Sequence, residues 1–156
     1  MDDHAPLVSV SGDVRRPVEL DRAGLEALAD GEVVADFHCR EGWSRLGVGW
    51  RGVRLATLLA HARALDEARF VTVASGSFSV VLTRDQAEDE RVLLALEQDG
   101  RRLDEASGLP RLVGPSEWDC FLSVKSVDRV ELTREPAEAT AERIALARIG
   151  QQHGPR

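Results

Sequence analysis

The stretch around which the chain is organised reads Phe37-His38-Cys39-Arg40-Glu41-Gly42-Trp43-Ser44 and is followed by Trp50-Arg51-Gly52-Val53-Arg54-Leu55. It begins where a β-branched run ends, and its glycines predict a loop that lasts until the chain regains a pattern after Trp50. A polar loop between two regular elements is where a rigid scaffold usually presents its chemistry. Cys39, one of two cysteines in the chain, is therefore the first candidate functional residue.

Cys39 has two interpretations when only its neighbours are considered. Arg40 and His38 favour the thiolate, which is the form that binds metals or attacks electrophiles. A free cysteine is also commonly a small buried hydrophobic residue. His38 precedes Cys39 in a predicted strand, so the two side chains point to opposite faces and do not predict a shared metal ion. The residues alone leave both interpretations open.

The composition is typical of one soluble globular domain. The chain has 156 residues, of which 43% are hydrophobic and 30% are charged. Its net charge of -7 disfavours nucleic acid and anionic membranes as partners, because both require a positive field. No apolar run is long enough for a membrane span. The acidic start lacks the features of a signal peptide, which predicts a cytoplasmic location as given, and a trimmed export signal would leave no trace.

The hydrophobic pattern predicts an α+β domain with many strands and a few short helices. Alternating or continuous apolar runs predict strands at 7–12, 32–38, 70–74, 78–82, 92–96 and 128–133. Apolar residues at helical spacing predict a helix over 55–62, and Asp21 and Thr83 are the predicted caps of two shorter helices. The pair Asp99-Gly100 predicts a hairpin turn.

A boundary is predicted near the end of the last strand. Residues 1–134 form the predicted domain, and residues 135–156 form a helix that begins near Pro136 and ends in a tail. The helix has only a weak apolar stripe. The helix could pack on the domain, contact another chain or fray, and the sequence does not distinguish these three alternatives.

Arg111 and Lys125 are the next candidates, because each lies within an apolar segment. Arg111 precedes an apolar pair, and Lys125, the only lysine of the chain, follows a valine. An unpaired charge in such a setting is costly, so the two residues predict an anionic partner. Ser123 and Ser126 add hydroxyl donors to the same segment.

These residues belong to a series of motifs that resembles the molybdopterin-binding domain of the sulfite oxidase type. The first motif is Phe37-x-Cys39-x-Glu41-Gly42-Trp43-Ser44, followed by Trp50-x-Gly52-Val53-x-Leu55. Downstream, in the family's order, come Leu93-Leu94-Ala95, Asp99-Gly100-x-x-Leu103, Gly108-x-Pro110-Arg111-Leu112-Val113-x-Pro115 and Ser123-Val124-Lys125-x-Val127. The resemblance covers about residues 7 to 133, which is most of the chain.

The resemblance implies an α+β fold with mixed, partly barrel-like sheets around a molybdenum-molybdopterin cofactor. It implies that the thiolate of Cys39 binds the molybdenum, which makes Cys39 the catalytic residue and the metal ligand. Arg111 and Lys125 fall where the family places basic contacts to the pterin phosphate, and Ser123 lies in the same segment. It also implies two-electron or oxygen-atom transfer on a small substrate. The chain has no second redox centre of its own, so we expect an electron-transfer partner such as a haem or flavin protein.

Some family positions carry other residues in this chain. Ser107 stands where many relatives have histidine, and Ser126 stands where they have tryptophan. The chain also has no tyrosine for the pocket in which sulfite oxidases bind sulfite. The cofactor-binding fold is therefore predicted and the substrate is left open. The alternative functions are a non-catalytic cofactor-binding or regulatory module of the same fold, and a thiol-dependent enzyme that uses Cys39 directly.

Overall fold

The described residues of this computed structural model, 5–38, 44–115 and 124–136, form two five-stranded sheets and three short helices. The elements in chain order are β1 (Pro6–Gly12), β2 (Val18–Asp21), α1 (Arg22–Leu28), β3 (Gly31–His38), β4 (Ser44–Arg54), α2 (Leu55–His61), β5 (Phe70–Ser75), β6 (Phe78–Thr83), α3 (Arg84–Glu88), β7 (Leu93–Gln98), β8 (Arg101–Arg102), β9 (Arg111–Val113) and β10 (Arg129–Thr133). The predicted α+β class is confirmed. The helix predicted for 135–156 lies almost wholly outside the described residues.

The first sheet is mixed and has the order β2-β1-β10-β5-β6. β10 lies in the middle, where it pairs parallel with β1 and antiparallel with β5. Val130 faces Val10 on one side and Val73 on the other, and all three side chains are fully buried. The alternating pattern that predicted β1 and β10 thus corresponds to strands with one face in the core.

The second sheet has the order β3-β4-β7-β8, with β9 paired to β7. The prediction of a loop up to Trp50 is wrong for residues 44–50. These residues belong to β4, which begins at Ser44 and pairs with both β3 and β7. One of its glycines, Gly52, allows close strand packing. A Cβ added at Gly52 would lie 2.0 Å from the carbonyl oxygen of Leu94 on β7, so no larger residue fits there.

The helices are short and carry the caps that the sequence predicted. The Asp21 carboxylate accepts a hydrogen bond of 2.7 Å from the Gly24 amide at the start of α1. Thr83 and Gln86 form a reciprocal capping box at α3. Helix α1 packs on β2 and on β4, so it connects the two sheets. None of the helices in the described ranges is long and apolar enough to cross a membrane.

Candidate functional site

Arg111 and Lys125 lie on two segments that the backbone joins directly. Three hydrogen bonds of 2.8–3.0 Å connect residues 108–112 with residues 124–127: Leu112 N to Val124 O, Ser126 N to Gly108 O and Val127 N to Pro110 O. The structure therefore brings the two predicted anion ligands onto neighbouring pieces of chain. The junction is rooted in the core, because Leu112, Val124 and Val127 are buried.

Lys125 lies against the bare backbone of Gly108. A Cβ added at Gly108 would lie 3.0 Å from the Cβ of Lys125 and 3.1 Å from its Cγ, and the φ of Gly108 is +89°. Glycine is required there for both reasons, since other residues rarely adopt this backbone conformation. Lys125 is exposed, and no carboxylate within the described ranges forms an ion pair with it. Its ammonium group is thus presented at the surface beside the Gly108 turn.

Arg111 lies over an aromatic ring that was assigned no role from the sequence. Its Cζ atom is 5.1 Å from the centre of the Trp50 ring, which is within the range of a cation–π contact. Trp50 is buried on β4, and Arg111 is half-buried on β9. The available signal was the position of Trp50 in the motif that follows Cys39.

Ser107, which stands at the family's histidine position, belongs to a tight turn with Asp104. Its amide and its hydroxyl donate to the Asp104 carboxylate at 2.9 and 2.8 Å, and its hydroxyl accepts from the Asp104 amide at 2.8 Å. The hydroxyl of Ser107, with its amide, lowers the pKa of Asp104 below its ordinary value. A cleft of about 460 Å³ lies beside this turn, and Arg101 and Arg102 also line it. The hydrogen bonds of the Ser107 hydroxyl are thus made within the turn, to Asp104.

Cys39 and Ser123 lie outside the described residues, so their predicted roles stay predictions. The strands on either side of Cys39, β3 and β4, are paired up to His38 and Ser44. The described ranges hold no group of three or more histidine, cysteine, aspartate or glutamate residues that could bind a metal. The structure thus gives geometry for Arg111 and Lys125 among the four predicted site residues.

A second cleft, of about 420 Å³, lies on the second sheet near the β7–β8 hairpin. Arg51 lines it and forms ion pairs with Glu97 and, at 3.5 Å, with Glu26. The hydrogen bond that Arg51 donates to the Glu97 carboxylate raises the pKa of Arg51 above its ordinary value. Neither Arg111 nor Lys125 lines this cleft, but Trp50, the ring that Arg111 contacts, does.

Comparison with known protein families gives one match that spans most of the chain. Residues 2–141 match the family described as oxidoreductase molybdopterin binding domain. Individual relatives agree with this match. The chain is 28% identical to the protein-methionine-sulfoxide reductase catalytic subunit MsrP of Campylobacter jejuni, over 92% of this chain and 54% of that protein.

Other similar proteins extend this picture. The MsrP subunit of Gluconobacter oxydans is 31% identical, over 92% of this chain and 52% of that protein. The oxidoreductase YuiH of Bacillus subtilis is 33% identical, over 82% of this chain and 65% of that protein. The chain therefore spans about half the length of the two MsrP relatives.

A solved structure gives the same fold. The sulfane dehydrogenase SoxCD of Paracoccus pantotrophus superposes with a TM-score of 0.76, over 89% of this chain and 41% of that chain. The two sequences are 22% identical, so this likeness concerns the fold alone. It confirms the predicted class of mixed sheets with short helices.

Proposed function

Because the chain belongs to the oxidoreductase molybdopterin binding domain family, we propose that it is a molybdenum cofactor-dependent oxidoreductase domain in which Cys39 binds the metal. The family and the relatives indicate molybdenum-molybdopterin as the cofactor. When bound, this group supplies two-electron redox chemistry, including oxygen-atom transfer, and the protein supplies binding and orientation. The residues proposed to hold it are Cys39, Arg111, Ser123 and Lys125.

The observation that carries the proposal is the junction of residues 108–112 with 124–127. Arg111 and Lys125 belong to segments joined by three backbone hydrogen bonds, so adjacent segments carry two cations. A phosphate takes charge-assisted hydrogen bonds from such a pair, with arginine as a planar fork and lysine as a point charge. The bare Gly108 backbone lets Lys125 lie close to the junction. These residues fit the phosphate end of the cofactor.

The proposed metal ligand follows from the chemistry of its side chain and its place in the motif. The cysteine thiolate is a soft ligand. It is therefore suited to bind molybdenum that is held in a sulfur-rich cofactor. In the sequence, Cys39 directly follows His38, the last residue of β3, which pairs with Ser44 of β4. Arg40, its neighbour in sequence, favours the ionised thiol.

Metal and pterin analysis tests the proposal directly. The full chain is made in a host that synthesises the cofactor, and molybdenum and pterin are measured per chain. We expect both near one equivalent in the natural sequence and a loss of molybdenum in Cys39→Ala. The second cysteine provides the matched control, since Cys120→Ala should keep the metal. A natural chain that carries neither molybdenum nor pterin would contradict the proposal.

The phosphate assignment has its own test in the same preparations. Lys125→Ala removes one of the two proposed cations, and we expect pterin per chain to fall by about tenfold, since a lost charge-assisted contact costs on the order of 1.5 kcal/mol. Arg129→Ala is the control, because Arg129 is an exposed cation on β10 outside the two segments that form the junction. Equal retention in the two variants would rule out the role of Lys125.

The relatives suggest the substrate class to assay first. Two of them are named protein-methionine-sulfoxide reductase catalytic subunits. We propose that this chain reduces a sulfoxide, which takes two electrons and two protons and yields a thioether and water. Reduced viologen supplies the electrons in place of the proposed haem or flavin partner. Oxidation of viologen by dimethyl sulfoxide or methionine sulfoxide, absent in Cys39→Ala, is expected. Turnover of sulfite with no sulfoxide activity would contradict this substrate.

One observation favours the second candidate, a non-catalytic cofactor-binding module. Ser107 occupies the family's histidine position, and its hydroxyl is bound to Asp104. A cofactor site with fewer polar groups directed at the substrate is compatible with binding of the cofactor without catalytic turnover. A chain with stoichiometric cofactor whose molybdenum is not reoxidised by any sulfoxide would favour this candidate over the oxidoreductase.

A further inference from the structure

Trp50 is the aromatic residue that the described site places against a proposed cofactor ligand. The Cζ of Arg111 lies 5.1 Å from the centre of its ring. Trp50 is only 2% exposed, whereas Arg111 is half-buried. The pair therefore runs from the core of the second sheet to its surface at β9.

The sheet brings the two residues together through a row of small side chains. Gly52 on β4, Ala95 on β7 and Arg111 on β9 face one another across the three strands. Ala95, the residue between the other two, contributes a single methyl group, so the long side chain of Arg111 can extend across β7. Trp50, which the guanidinium contacts, lies two positions before Gly52 on β4.

The contact with the Trp50 ring restrains the guanidinium of Arg111. An aromatic ring attracts a guanidinium through its quadrupole and brings no negative charge of its own. An arginine that is already restrained also loses less conformational freedom when it binds a phosphate.

We propose that Trp50 is a positioning residue for anion binding by Arg111. The indole ring holds the guanidinium on the β7 side of β9, and the affinity for the cofactor's phosphate depends on that restraint. This inference rests on the proposed function for the identity of the anion. Trp50 acts through Arg111, so its replacement should have no effect on anion binding once Arg111 is gone.

A double-mutant cycle tests the inference on the full chain made in a host that lacks molybdopterin synthesis. The probe is inorganic pyrophosphate, and its dissociation constant is measured by calorimetry for the natural sequence, Trp50→Leu, Arg111→Gln and the double variant. We expect Trp50→Leu to weaken binding roughly 3- to 30-fold, the range of a cation–π contact. In the Arg111→Gln background, Trp50→Leu should change the constant by less than about twofold.

Trp50→Phe keeps the test decisive if the leucine variant does not fold. Phenylalanine retains a weaker ring face, so we expect an affinity between those of the natural sequence and Trp50→Leu, again with no effect when Arg111 is absent. Unfolding temperatures of all variants identify loss through misfolding.

Three results would overturn the inference: additive effects of the two substitutions, unchanged affinity in Trp50→Phe and Trp50→Leu, or no pyrophosphate binding by the natural sequence. The fate of the proposed function is read separately, from molybdenum and pterin in chain made in the competent host. If the cofactor is present and the double-mutant cycle is additive, only the role of Trp50 is contradicted. If the cofactor is absent and the cycle is non-additive, only the identity of the anion is contradicted.

Discussion

Gly108 shows how one residue controls the geometry of a cation. Its φ of +89° disfavours most side chains, and atoms of the Lys125 side chain lie as close as 3.0 Å to the place where a Cβ would be. A substitution at this position therefore acts on the fold and on the proposed anion site together. Glycines at positive φ that meet no neighbour, such as Gly76, carry only the first constraint.

Gly108→Ala is expected to lower the free energy of unfolding by about 2 kcal/mol, because the left-handed backbone costs about 1 kcal/mol or more and the Lys125 stem must also move. Gly76→Ala is the matched control, with an expected loss of about 1 kcal/mol from the backbone alone. Denaturant unfolding measures both. Equal losses would mean that the Lys125 contact contributes nothing.

Asp104 provides a pH-dependent signal at the same scale. Hydrogen bonds from the Ser107 hydroxyl and amide favour the charged carboxylate, so the pKa of Asp104 lies below its ordinary value of 3.8. A group whose pKa is lowered by folding stabilises the fold above its unfolded pKa, and this contribution is lost as the pH falls through the folded pKa. In Ser107→Ala we expect the Asp104 midpoint to rise in an NMR titration of the carboxyl carbon. An unchanged midpoint would contradict the assigned cause.

At the scale of elements, β4 separates what the sequence could predict from what it could not. Alternating patterns located β1 and β10, and the spacing of Thr83 and Gln86 located the capping box of α3, because these signals are local. β4 was missed because its glycines are typical of a loop. The reason for Gly52 becomes visible only when β7, distant in sequence, lies beside it.

The same distinction holds for the candidate site. Its residues Arg111 and Lys125 were predicted from charges within apolar segments and from the order of the motifs. The contact of Arg111 with Trp50 was not, because it depends on strand order across the second sheet, which local patterns do not encode. Cys39 and Ser123 rest on the motifs and on family membership.

Two glycines of β4 give an element-scale prediction. Gly52→Ala should destabilise the protein by about 3 kcal/mol, because its Cβ would meet the Leu94 carbonyl at 2.0 Å and push β4 away from β7. Gly49→Ala is the control in the same strand, where a Cβ would meet only Asp99 Oδ1 at 3.5 Å, and its cost should stay below about 1 kcal/mol. Thermal or denaturant unfolding checks the pair. Similar costs at both positions would contradict the pairing of β4 with β7.

At the scale of the whole molecule, the first sheet depends on its central strand. β10 forms ladders with β1 and β5, and Leu132 is fully buried between Gly12 and Val71. Leu132→Ala should lower the free energy of unfolding by about 2–5 kcal/mol, the range for a leucine removed from a packed core. The neighbouring Glu131→Ala, on the other face of the strand, should cost less than about 1 kcal/mol. A small effect at Leu132 would show that β10 does not complete the core.

The parallel pairing of β1 with β10 also sets an order of events during synthesis. β1 leaves the ribosome first among the described strands and β10 leaves last. The hairpins β1–β2 and β5–β6 are therefore synthesised before β10, the central strand that pairs with both of them. Until residues 129–133 emerge, both hairpins expose backbone groups that will later pair with β10. The nascent chain is therefore most vulnerable to proteases and to strand exchange just before its last described strand appears.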